Sequence, residues 1–259
     1  MMLPPNTLKA ALREGRHQIG LWASLGSNIA TEIVAGAGFD WILIDTEHAP
    51  NEPLTVLTQL QAMAAGTAEP VVRVAWNDVV LIKRLLDVGA RSILVPFVQS
   101  AEEARRAVAA TRYPPLGNRG VAATVRANRY GRVANYHRQA HEEICVLVQI
   151  ETRATLDEIE AIAATEGLDG LFIGPSDLAA DLGYLGNPRQ PEVQAAIAGA
   201  CARIRAAGKP AGILAPDGEQ GVAYLRAGFS FVAVGNDAGL LTQASTKLAA
   251  LCKEAVRQA

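Results

Sequence analysis

Four short stretches gather polar groups of the kind that move protons and hold ions. Asp45, Glu47 and His48 fall together in "WILIDTEH", and Arg73 interrupts "VVRVA". Gln149 and Glu151 close "VLVQIET", and Ser176 and Asp177 follow Gly174 and Pro175 in "LFIGPSDLA". Two carboxylates that converge repel each other unless they share a proton or a cation. A hard divalent ion such as Mg²⁺ is typically held by one or two carboxylates, with water and substrate completing its shell. Glu151 and Asp177 are the candidate pair, with a solvated pair of loop acids as the simpler alternative. Gly174 lets a ligand approach the backbone closely, which leaves the amides near Ser176 and Asp177 to bind a substrate carboxylate. An arginine between valines in a buried strand needs a partner. Asp45, Glu47 and Glu151 are the candidates, and such a pair does not exclude catalysis. His48 shares its segment with Asp45, which would orient the ring and raise its basicity.

The elements that must position these groups follow a rhythm. Short β-branched runs at 18–24, 41–48, 70–76, 92–98, 145–152, 170–175, 211–216 and 231–237 alternate with Ala-rich helical runs. Continuously apolar strands mean burial on both faces, as in a parallel sheet covered by helices. Eight strand–helix units predict an α/β fold, a (β/α)8 TIM barrel forming a single domain over residues 1–259, with a doubly wound open sheet as the runner-up. In a barrel the active site sits at the C-terminal strand ends, where the polar stretches fall, together with Asn236 and Asp237. Side chains two apart share a face, so Asp45 and Glu47 point one way, as do Gln149 and Glu151. The stretch 113–142, rich in Pro, Gly and Arg, breaks the rhythm, and irregular segments of this length are often functional.

Composition narrows the partners. The chain of 259 residues is 50% apolar and 19% charged, with a formal net charge of −2. A basic face for nucleic acid is therefore not expected. Cys145, Cys201 and Cys252 lack metal or disulfide spacing. The N-terminus does not read as a signal peptide, and no apolar stretch nears a membrane span. The expected setting is the cytoplasm.

Taken jointly, "FDWILIDTEHAPN", "PVVRVAWND", "RYPPLGNRG", "VLVQIET", "FIGPSDLAADLGYLGNP" and "FVAVGND" resemble the class II, metal-dependent pyruvate aldolases of the HpcH/HpaI type, in the same order over nearly the whole chain. The resemblance implies a barrel of the phosphoenolpyruvate/pyruvate type in a homo-hexamer, and reversible cleavage of 4-hydroxy-2-oxo acids to pyruvate and an aldehyde. It implies a divalent metal ion (Mg²⁺, Mn²⁺ or Co²⁺) on Glu151 and Asp177, with no organic cofactor. Gln149 and the Ser176 backbone would contact the oxo acid, and Trp22 and Leu214 would line the pocket. Arg73 matches the stabiliser of developing charge and His48 the base. Asp87 matches an acid that supports the histidine. It precedes the fourth strand, at the opposite face, so it can serve only a neighbouring subunit. Ser176 stands where a close member carries alanine, a mild change if the backbone does the binding.

Competing chemistries remain distinguishable. No lysine lies at a matching strand end, since Lys83 sits in a helical run and Lys209 ahead of strand seven. A Schiff-base aldolase is therefore disfavoured. Sugar-derived 2-keto-3-deoxy acids, hydroxypyruvate as donor, an acyl-CoA lyase, or a non-catalytic oxo-acid-binding barrel are the alternatives.

Overall fold

The computed structural model describes residues 1–257; residues 258–259 of the expected domain lie outside the described residues. Eight parallel strands close into a barrel in sequence order. They are β1 (Gln18–Ala23), β2 (Trp41–Asp45), β3 (Glu69–Arg73), β4 (Ser92–Val95), β5 (Cys145–Ile150), β6 (Gly170–Ile173), β7 (Ala211–Ala215) and β8 (Phe231–Asn236). The closed ring excludes the open doubly wound sheet.

Two apolar layers hold it. Between strands and helices lies a continuous core that includes Ile42, Ile44, Val72, Ile93, Val148, Ile173 and Ile213. Inside the barrel, Trp22, Trp41, Leu43, Leu147, Phe172 and Phe231 form a second cluster. Large and small residues interlock there. A Cβ on Gly20 would come within 2.2 Å of the Trp41 ring, and one on Gly212 within 2.3 Å of Phe231. Either substitution would force overpacking.

A helix not anticipated from the sequence, Thr7–Arg13, closes the bottom. Asn6 caps it by accepting from the Lys9 N–H at 2.9 Å. Its Leu8 and Leu12 join the cluster inside the barrel. The helical run that follows β5 is split into Arg153–Asp157 and Ile159–Ala163. The stretch 113–142 is irregular apart from three single-turn pieces. The last helix, Asp237–Arg257, leaves Leu240, Leu241, Leu248 and Leu251 exposed. Among the described residues no helix is long and apolar enough to cross a membrane.

Candidate active site

Parallel pairing of β2 and β3 sets Asp45 beside Arg73 in register. Arg73 Nε donates to Asp45 Oδ1 at 2.9 Å and Nη2 to Oδ2 at 2.6 Å, a two-pronged match of guanidinium to carboxylate. Trp22 Nε1 also donates to Asp45 Oδ2, at 3.3 Å, and the Trp22 ring lies 5.1 Å from the Arg73 guanidinium carbon. Burial pushes the Asp45 pKa up, but hydrogen bonds and charge from Arg73 outweigh it and hold the carboxyl below its ordinary value. The partner an arginine in β3 requires is thus supplied twice, because Glu47 Oε2 lies 2.8 Å from Arg73 Nη1. That second contact is an ion pair without hydrogen-bond geometry, and Glu47 Oε2 has no donor.

The acids crowd one another. Burial pushes Glu47 up to about 7 against the pull of Arg73, with Asp45 and Asp177 adding to the rise. Glu151 is also pushed up to about 7, first by burial and then by the charges of Asp177 and Glu47, against the pull of two hydrogen bonds. Those bonds fix the carboxylate. Phe97 N–H donates to Glu151 Oε1 at 2.6 Å, and the Gln149 amide donates to Glu151 Oε2.

The donor set fits a divalent ion. Among the described residues no group of three or more His, Cys, Asp or Glu side chains is arranged to hold a metal. An ion that keeps water and substrate oxygens needs only one or two carboxylates. Gly174 keeps the approach to Glu151 clear, since a Cβ there would lie 2.6 Å from Glu151 Oε2 and 2.8 Å from Gln149 Nε2. Gln149 Oε1 is buried and has no hydrogen-bond partner, an acceptor left for a ligand. Asp177 is half-buried in the first turn of a second unanticipated helix, Pro175–Asp181, which has no side-chain cap.

One expected contact is absent, and Asp87 lies where the sequence puts it. Asp45 does not touch the His48 ring. Its Oδ1 instead accepts the backbone N–H of Glu47 at 3.0 Å, fastening the turn after β2. The imidazole is 64% exposed, with Nε2 4.0 Å from Glu47 Oε2, so Glu47 is the acid beside it. Asp87 ends the helix Val79–Asp87 that leads into β4, at the far face, where it pairs with Arg119 at 2.7 Å. Ser176 is exposed beside Asp177, and Leu214 packs at the edge of the cluster inside the barrel.

Sequence reasoning missed Phe97. The strand expected at 92–98 stops at Val95, and Phe97 takes φ +49°, a left-handed backbone that costs a bulky side chain on the order of 1–3 kcal/mol. That twist is what turns its N–H onto Glu151. Pro96 hints at a strand end, but no residue type announces a phenylalanine at positive φ.

The HpcH/HpaI aldolase/citrate lyase family model matches residues 18–244. The chain belongs to this family. It is 58% identical to a pyruvate aldolase of Rhizobium etli over 96% of this chain and 98% of the relative. It is 56% identical to a 4-hydroxy-2-oxo-heptane-1,7-dioate aldolase of Escherichia coli over 95% of this chain and 94% of the relative. Among solved structures, an HpcH/HpaI aldolase/citrate lyase family protein of Burkholderia cenocepacia superposes with TM-score 0.93 at 43% identity, covering 96% of this chain and 99% of that one. The (β/α)8 barrel and the aldolase class of the family agree with the sequence-based expectation.

Proposed function

We propose that the chain is a divalent-metal-dependent aldolase that reversibly cleaves 4-hydroxy-2-oxo acids, such as 4-hydroxy-2-oxoheptane-1,7-dioate, to pyruvate and an aldehyde, here succinic semialdehyde. The observation that carries the reading is a buried arginine, paired with Asp45 and Glu47, at the same barrel mouth as a buried glutamate whose ionisation Asp177 opposes. Glu151 and Asp177 would hold the ion, which when bound supplies Lewis-acid polarisation of the keto group.

The remaining work falls to this chain. Gln149 and the backbone at Gly174, Pro175 and Ser176 seat the oxo acid. His48, directly or through water, takes the proton from the C4 hydroxyl. The C3–C4 bond breaks, its electron pair passes into the three-carbon unit as an enolate, and a proton returned to C3 gives pyruvate. Arg73, held in place by Asp45, presents a permanent positive charge where negative charge grows. Trp22 and Leu214 wall the pocket.

A homo-hexamer in the cytoplasm belongs to the same reading. The exposed leucines of Asp237–Arg257 support burial against other copies. Asp87, on the far face of its own barrel, would serve the histidine of a neighbour. The test is pyruvate release from 4-hydroxy-2-oxoheptane-1,7-dioate after EDTA treatment and after restoring Mg²⁺, Mn²⁺ or Co²⁺. Loss and recovery are expected, and undiminished turnover in a verified metal-free enzyme would overturn the metal reading.

A further inference from the structure

A cavity of about 160 Å³ lies on the β6/β7 side of the barrel mouth. Pro175, Ser176, Leu214, Pro216 and Tyr224 line it, with Arg189 among them. Two of these residues tie it to the candidate active site. Leu214 also packs against the cluster inside the barrel that contains Trp22 and Phe172. Ser176 is the neighbour of Asp177. A molecule seated over Asp177 and Glu151 therefore has this cavity beside it.

Its size and chemistry select an occupant. At roughly 30 Å³ per water, the space holds about five waters' volume. That is well below the roughly 300 Å³ or more of a pocket for a whole drug-sized ligand, and it suits a chain of a few carbons. Pro175, Pro188, Pro216 and Leu214 give it an apolar wall. Gln194 and Tyr224 satisfy each other, with Gln194 Nε2 3.3 Å from Tyr224 Oη. Among the described lining residues only Arg189 is charged. Its side chain is 76% exposed and loosely tethered, with Nη2 3.6 Å from Asp217 Oδ2, beyond hydrogen-bond reach. Asp217 is already engaged, its Oδ1 accepting the Gln220 N–H at 2.8 Å as the cap of the helix Gly218–Ala227. A guanidinium so placed can turn to a carboxylate at the end of an apolar tail.

We infer that this cavity receives the tail of the acceptor aldehyde and that Arg189 determines specificity for a terminal carboxylate on that tail. The inference rests on the aldolase reading above. Arg189 touches no reacting atom, so its effect falls on the acceptor's KM rather than on turnover.

The test compares two acceptors of equal carbon number, succinic semialdehyde and butanal, in aldol addition of pyruvate by the metal-loaded enzyme and its Arg189→Met and Arg189→Lys variants. Deuterium exchange of the pyruvate methyl group, followed by NMR, reports the site without any aldehyde. In Arg189→Met, kcat/KM for succinic semialdehyde should fall about two- to fivefold through KM, about what an exposed ion pair supplies. Butanal kinetics and methyl exchange should not change, and Arg189→Lys should recover part of the loss. Equal effects on both aldehydes, or none on either, would overturn the role of Arg189. A wild-type enzyme that exchanges the methyl protons but accepts neither aldehyde would also overturn it, while sparing the pyruvate site. Absence of exchange and of addition would bring down the aldolase reading itself.

Discussion

Two buried arginines sit at opposite ends of the barrel, and their surroundings differ in kind. Arg73, at the C-terminal end, faces two carboxylates, Asp45 and Glu47. Arg119, at the other end, is 0% exposed and has one, Asp87; its Nε and Nη1 have no partner, and its guanidinium lies over the Tyr113 ring at 4.5 Å. The first end carries more acid than base and is suited to draw in a cation. The second carries an arginine whose donors are under-used, in a stretch that breaks the strand–helix rhythm. A buried arginine is thus not by itself a catalytic signal; the surplus of acid around Arg73, absent around Arg119, separates the two.

Removing each arginine should separate the roles. Arg73→Met is expected to lower kcat by about 10²–10³-fold, the range for loss of one stabiliser of developing charge, with the barrel retained by circular dichroism. Near-normal turnover would make Arg73 a structural pair like Arg119. Next in size, Gly174→Ala should weaken Mn²⁺ binding roughly 10–100-fold, as changes beside metal ligands commonly do, because its Cβ would press on Glu151 Oε2. Calorimetric titration with Mn²⁺ checks this, and unchanged affinity would remove the ion from Glu151. Arg119→Met should act on stability instead, costing about 3 kcal/mol, the low end for a broken buried pair because Asp87 can rehydrate. Denaturant unfolding reads that loss, and Mn²⁺ affinity should stay level. A shift in affinity would blur the contrast between the two ends.

The smallest effect is on acid stability. The Asp45 carboxyl is held below its ordinary value in the folded chain, burial being outweighed by Arg73. Its contribution is therefore fully present above the unfolded pKa of about 3.9 and is lost as pH falls through the lower folded value. Wild type should lose stability in that acidic window, and Arg73→Met should lose less there. Matching acid limbs in urea melts at pH 5 and pH 3 would show that the pair contributes nothing to folding.

The barrel was legible because eight β-branched runs recur with helices between them, and each observed strand lies in or within one residue of its expected run. Strand ends were less legible. Runs expected to reach His48, Trp76 and Val98 stop at Asp45, Arg73 and Val95, where side-chain and backbone contacts beyond the strand take over from periodicity. Asp45 accepting the Glu47 amide and Phe97 turning to Glu151 are such contacts. The helices Thr7–Arg13 and Pro175–Asp181 carried readable signals that went unused, an asparagine cap in one and a proline at the first position of the other. Same-face placement of Gln149 with Glu151 followed from parity. The company of His48 did not, because it depends on how the turn after β2 folds back.

The interior cluster, with Leu8 and Leu12 of the helix Thr7–Arg13 pressed into it from below, makes the molecule a cup rather than a tube. A cup has one doorway. Whatever is made over Glu151 and Asp177 must leave through the opening by which the substrate came.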